Sequence, residues 1–231
     1  MATAHDIPDR ERVRLLRAMG VEVWELRRGA ADAVAPADEP LPLVSPDWDG
    51  LEVEVRDCTR CELHEGRTQT VFGVGNRDAD WMIIGEAPGA DEDRQGEPFV
   101  GRAGQLLNQM LLAIGLARQD VFIANILKCR PPRNRDPKPD EVSSCIGYLE
   151  RQVALVRPRI ILAVGRIAAQ NLLGQDLPVG KLRGNVYAFG PDEIPVVVTY
   201  HPAYLLRSPA QKRKAWSDLC LARRLAGDAL Q

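Results

Sequence analysis

Four short apolar runs punctuate the chain between residues 81 and 202: WMIIGE (81–86), VFIANIL (121–127), RIILAVG (159–165) and PVVVTYHP (195–202). Each is short and bounded by Gly, Pro or charge, and each is predicted as a strand buried on both faces. Longer segments with a helical stripe lie between them. GQLLNQMLLAIG (104–115) places apolar residues at 106, 107, 110, 111 and 114 and stops at Gly115, the pattern of one buried helix face and its terminator. PDEVSSCIGYLERQVALV (139–156) reads as a helix with Pro139 near its start, RIAAQNLLG (166–174) as another, and Ser208-Pro209 opens a last helix to about Ala226. Apolar strands separated by helices predict an α/β protein: a four-stranded, mainly parallel sheet covered on both faces. In such sheets the site lies at the carboxyl ends of the strands.

The first fifty residues break this pattern. A charged amphipathic helix and a short extended piece, VEVWELR, fill the end of segment 1–28, read as an N-terminal helical extension. Residues 29–49 are rich in Ala, Pro and Asp without periodicity and read as a linker. The main domain is expected over 50–231.

Composition narrows the function classes. With 45% hydrophobic and 27% charged residues in 231 and a net charge of −2, the chain has an ordinary soluble make-up and no global basic field. Nucleic-acid binding would need a local patch. No run approaches the roughly 18 apolar residues of a membrane span, and the charged N-terminus has no apolar signal core, so a cytoplasmic protein is expected.

Of five cysteines, Cys58 and Cys61 form a C-x2-C pair, and Cys129 and Cys145 follow as C-x15-C after a long gap. In a cytosolic chain a CxxC points to metal or redox chemistry more than to a disulfide framework. Four thiolates suit zinc or an iron–sulfur cluster, and here they would meet only through tertiary folding. Cys220, on the last helix, reads as a core cysteine.

The strand ends carry the other candidates. The first ends in GEAPGADED, where Glu86, Asp91, Glu92, Asp93 and Glu97 crowd within twelve residues. Such a loop is either a solvated face or a site where positive charge develops or water is activated; it would repel phosphate. Phe99 is either core or a stacking platform, Asn125 a turn cap or a functional side chain, His201 a structural or a functional histidine. Tyr204, Leu205 and Leu206 follow His201 in an expected loop, where exposed apolar residues can act as a wedge in DNA. KCRPPRNRDPK (128–138) carries five Lys or Arg against one Asp, either a solvated face or a local cationic surface of the kind DNA requires. Nucleotide and zinc-hydrolase motifs are missing. GQDLPVGK (174–181) has five residues between its glycines and Leu182 where a P-loop needs a hydroxyl. No GxGxxG or HExxH occurs, and the histidines are His5, His64 and His201.

Taken together, GEAPGADED, PFVGRAGQLL, NILKCRPP, HPAYLLR and the cysteine spacing resemble the uracil-DNA glycosylase superfamily, specifically its family 4, the iron–sulfur branch, over about residues 50–226. The resemblance implies a three-layer α/β/α sandwich on a four-stranded parallel sheet, with 50–231 as the catalytic domain. It implies a 4Fe–4S cluster on Cys58, Cys61, Cys129 and Cys145, away from the chemistry. It puts Phe99 on the face of an extrahelical uracil, Asn125 on the edge of the base, His201 against O2 and Leu205 near the wedge position. Glu86 and Glu92 match acids of the first motif, and Ala87 stands in the substrate-binding position where other branches carry an Asp or Asn that handles water. A related branch attacks the sugar with a histidine in a basic insertion after the Asn; no histidine lies between His64 and His201, so turnover is expected. The partner implied is uracil-containing DNA, and the protein is expected to act as a monomer. The alternative is a uracil-DNA-binding or repair-recruitment module with little turnover, in which residues 1–50 could tether a repair or replication partner. A zinc-stabilised structural protein is the third reading.

Overall fold

The computed structural model describes residues 47–227. The expected helical extension over 1–28, and the linker up to residue 46, lie outside the described residues. Asp47 accepts a hydrogen bond from the Gly50 N–H at 2.9 Å and caps helix α1 (Trp48–Arg56). Helix α2 (Leu63–Gly66) follows, then strand β1 (Val74–Gly75).

The four expected strands are present as β2 (Trp81–Gly85), β3 (Phe122–Asn125), β4 (Ile160–Val164) and β6 (Ile194–Thr199). They are parallel, in the order β3-β2-β4-β6. Two strands not expected from the sequence complete a six-stranded sheet, both antiparallel at its edges: β1 against β3, and β5 (Val186–Phe189) against β6. The former is too short to leave a pattern. The latter, VYAF, alternates exposed and half-buried positions, as an edge strand does, in place of a continuous apolar run.

Helices cover both faces. Along each strand alternate side chains enter two separate cores. Met82, Ile84, Ala124, Ile161 and Val198 pack under α1, α5 (Pro139–Val156) and α6 (Arg166–Leu173). Trp81, Ile83, Ile123, Leu162 and Val197 pack under α4 (Arg102–Ala113) and α9 (Lys212–Leu225). The result is the expected three-layer α/β/α sandwich. Short helices α3 (Ala90–Gln95), α7 (Val179–Leu182) and α8 (Pro202–Arg207) complete the chain. Among the described residues no helix is long and apolar enough to cross a membrane.

The chain runs from β2 to β3 on one side and then returns to β4 on the other. Beyond β2 the connections therefore diverge at the carboxyl ends of the central strands, the place where ligands bind in such sheets.

Candidate active site and four-cysteine cavity

Gly85 and Asn125 end β2 and β3 opposite each other. The pairing continues past the strands: Ile126 N–H donates to Gly85 O and Leu127 N–H to Glu86 O, each at 3.0 Å. Asn125 is 2% exposed. A Cβ on Gly85 would lie 2.5 Å from Asn125 Oδ1 and 2.6 Å from Phe99 Cζ. The missing side chain is what lets the amide and the ring converge.

Phe99 adopts φ 55°, in the left-handed region that costs a non-glycine residue energy. Its loop is held from three sides. Glu92 Oε1 accepts from Val100 N–H at 3.0 Å and Gly101 N–H at 3.2 Å. Arg118 donates to Pro98 O at 2.6 Å and, at 3.4 Å, to Phe99 O. Gly104, inside α4, lets the Phe99 carbonyl approach so closely that a Cβ would overlap it at 1.7 Å. The Phe99 ring stacks on the His201 imidazole with centroids 5.7 Å apart and planes inclined by 29°.

His201 caps α8, its Nδ1 accepting the Ala203 N–H at 3.1 Å. In the neutral ring the proton therefore resides on Nε2. Burial, helped by the Arg207 charge and opposed by Glu92, pushes its pKa down to about 4. His201 thus offers a fixed, neutral N–H donor at neutral pH. Glu86 behaves in the opposite sense: burial first, then the nearby Asp136 charge, raise its carboxyl to about 7 against the pull of Arg166. Asp136 and Arg166 form an ion pair. Ala87 is half-buried against the core under α5 and α6, and its methyl has no group with which to activate water.

Two expectations need correction. HPAYLLR is not a loop. Pro202 at the first helical position and His201 as cap start α8, and the helical repeat then turns Leu205 inward, onto the same core as Phe99, at 1% exposure. The residue expected near the wedge position is thus buried in this structure, and Leu206, one position on, faces outward at 37% exposure. The basic segment 128–138 is also less cationic at its surface than its composition implies. Lys128 is 1% exposed, and Arg135 forms a two-pronged ion pair with Glu141. Arg130, Arg133 and Lys138 remain toward solvent, Arg133 and Asn134 in a tight turn with φ 55° and 54°.

Cys58, Cys61, Cys129 and Cys145 line a single small cavity, partly open to solvent, with Arg67, His64 and Tyr148 around them. Cys129 and Cys145 are buried, Cys58 and Cys61 half-buried. Arg67 donates to Cys129 Sγ at 3.1 Å and to Cys58 O at 2.8 Å, and Lys128 N–H donates to Cys145 Sγ at 3.3 Å. Burial raises the Cys145 thiol to about 12 and lifts Cys129 and Cys61 as well. Among the described residues no three His, Cys, Asp or Glu side chains are gathered as a site for a single metal ion. The all-sulfur donor set and the N–H···S bonds fit an iron–sulfur group.

The strand ends thus bring Phe99, Asn125 and His201 together, with Glu92 behind the Phe99 loop, Glu86 beside the Asp136–Arg166 pair, and the cysteines in a cavity of their own. Sequence reasoning missed Arg118, an isolated arginine with no motif around it. It also missed Gly104, whose only trace is a glycine where a helix favours alanine.

Residues 72–220 match the family model described as the uracil DNA glycosylase superfamily. Similar proteins include the type-4 uracil-DNA glycosylase of Archaeoglobus fulgidus, 46% identical over 176 residues, which span 74% of this chain and 88% of that protein. The type-4 uracil-DNA glycosylase of Pyrobaculum aerophilum is 41% identical over 181 residues, 76% of this chain and 92% of that one. That of Thermotoga maritima is 44% identical over 157 residues, 67% and 80% respectively.

Proposed function

The chain belongs to the uracil DNA glycosylase superfamily, and from that premise we propose that it excises uracil from DNA through Phe99, Asn125 and His201 and leaves an abasic site. The observation that carries this reading is the convergence of a rigid aromatic face, a buried amide and a neutral N–H donor at one sheet edge.

The reacting bond lies inside a duplex, so the nucleotide must first leave the stack, at a cost of about a few kcal/mol. Leu206, the outward residue of α8, can fill the gap in place of the buried Leu205. The flipped base stacks on Phe99. Uracil presents N3–H as donor and O4 as acceptor, and the Asn125 amide can meet both. Cytosine reverses both, and a site built on such hydrogen bonds can reject the wrong partner by roughly 10⁴ or more. As the C1′–N1 bond breaks, its electron pair passes to the base, and charge builds on uracil O2, where the His201 Nε2–H stabilises it without being ionised. Water adds to the cationic C1′ and yields its proton to a base. Glu86 suits that role, since its raised pKa matches the operating pH. Glu92, engaged with the backbone of residues 100 and 101, supports the platform more than the chemistry.

Cys58, Cys61, Cys129 and Cys145 would hold a 4Fe–4S cluster, with Arg67 and the Lys128 N–H as donors to two of the sulfurs. When bound, the cluster supplies a tie between the α1–α2 segment, α5 and the start of the basic loop, leaving the base chemistry to the residues above.

Incubating an oligonucleotide that carries one uracil, then treating it with alkali, is expected to give breaks at that position. His201→Ala and Asn125→Ala should slow the breaks without changing the melting temperature. An intact strand after treatment with the wild-type protein would refute the proposal.

A further inference from the structure

Lys128 has no part in the chemistry above, yet it is one of the most deeply buried residues of the domain. Its ammonium donates to Asn125 O at 2.9 Å and to Gln152 Oε1 at 2.6 Å. Gln152, on α5 and fully buried, in turn donates from Nε2 to Phe72 O at 2.9 Å. Burying an ammonium is unfavourable, and a methionine of similar length would fill the same space without that cost. The charge is therefore expected to have a use where it points.

It points at one peptide group. The carbonyl of Asn125 and the N–H of Ile126 belong to the same planar unit. The N–H is fixed by Gly85 O at 3.0 Å, across the sheet. The carbonyl, pointing the opposite way across the trans peptide and so away from β2, is taken by the Lys128 ammonium at 2.9 Å. Both ends of the plane are thus clamped, which fixes ψ of Asn125 and with it the direction in which its side chain leaves the backbone. The brace continues through Gln152 to the backbone of Phe72, so the carbonyl is tied to elements outside its own strand. A small tilt of this plane would carry the Asn125 amide away from Phe99 Cζ and from the space beside Gly85, where both groups converge.

We propose that Lys128, braced by Gln152, is a positioning residue that holds the Asn125 peptide plane and thereby sets the affinity and selectivity for uracil. The proposal rests on the reading of Asn125 as the residue that contacts the base edge. It separates Lys128 from Arg130, Arg133 and Lys138, which lie toward solvent, whereas Lys128 acts on the base from behind, through Asn125.

The test uses Lys128→Met in the full chain and two binding readouts. One is inhibition by free uracil, which depends on Asn125; the other is affinity for an abasic-site oligonucleotide, which has no base to read. The inhibition constant for uracil is expected to rise tenfold or more while abasic-site affinity stays within twofold, and the ratio of uracil to cytosine excision should fall with it. A variant that melts like the wild type and keeps its uracil inhibition constant within twofold overturns the proposal. Equal losses of uracil and abasic-site affinity overturn it too, since they indicate general disorder. Should Lys128→Met not fold, Gln152→Leu is measured in the same way. It removes the brace and should weaken uracil inhibition at least threefold; no change overturns the proposal. Asn125→Ala is the reference. If that substitution leaves uracil inhibition unaltered, the base-reading role of Asn125 has failed, and the bridge behind it falls for that separate reason.

Discussion

Glu92→Ala tests whether the acidic first motif acts through chemistry or through architecture. The Glu92 carboxylate accepts two backbone N–H groups, from Val100 and Gly101, directly after the strained Phe99. Hydrogen bonds to a charged group contribute about 1.5–3 kcal/mol each, and a non-glycine residue in the left-handed region costs roughly 1–2 kcal/mol. With the carboxylate present the bonds exceed the strain. Without it the Arg118 contacts and the packing on Gly104 must hold the loop alone. If the stacked conformer then lies about 1.4 kcal/mol above a relaxed one, it is populated to roughly a tenth, and apparent affinity for the base falls about tenfold. Single-turnover excision from single-stranded uracil DNA, where flipping is not limiting, is the assay. Glu92→Ala should lose about tenfold in rate at sub-saturating enzyme, and Glu92→Gln, which keeps an acceptor oxygen, should stay within about threefold. If the glutamine variant is as slow as the alanine variant, the negative charge itself acts in catalysis and the anchoring argument is wrong. If the alanine variant is within twofold of wild type, the loop needs no such anchor.

Three further outcomes follow from the same contacts. Glu86, raised to about 7 by burial, should give an excision rate that climbs as pH passes through that value, and Glu86→Gln should abolish the climb. Because the fold favours the protonated form, ionising Glu86 lowers stability as pH rises from the usual carboxylate range through about 7; the glutamine variant should therefore gain in melting temperature relative to wild type above that pH. Asp218 is fully buried and accepts from both Arg183 and Thr199. Asp218→Ala leaves Arg183 without its carboxylate, although the Lys214 carbonyl still accepts from it, and should cost about 3 kcal/mol in urea unfolding; a loss under about 1 kcal/mol would mean that the network is not stabilising. Cys129→Ala should remove iron and visible absorbance from the purified protein and weaken DNA binding, and a fully loaded, tight-binding variant would contradict the four-cysteine assignment.

What the sequence made legible was set by pattern strength. Helix α5 runs over Pro139–Val156 as read, because Pro139 is tolerated at the first position and Glu141 closes the turn on the Lys138 N–H. The central strands were legible because burial on both faces leaves unbroken apolar runs. Strand β1, two residues long, leaves none. HPAYLLR was misread because a proline suggests a break, whereas at the first position of α8 it begins a helix; the error moved Leu205 from core to surface. Asn125 and His201 stood out by their place at strand ends, and Phe99 by its place between a charged loop and a glycine-flanked helix start. Lys128 did not, since in sequence it is one of five cations within residues 128–138, and only its three-dimensional partners distinguish it from them. Arg118 is silent for the same reason: its role lies in two carbonyls 19 and 20 residues earlier in the chain.

The most direct test of the whole account is a single-turnover comparison of two oligonucleotides identical except for uracil or cytosine at one position, each opposite the same abasic analogue. The account predicts an abasic site at uracil and a rate at cytosine lower by roughly 10⁴ or more, because the Asn125 amide meets both hydrogen-bonding groups of one base and opposes both of the other. Comparable rates on the two bases, or none on uracil, would contradict it.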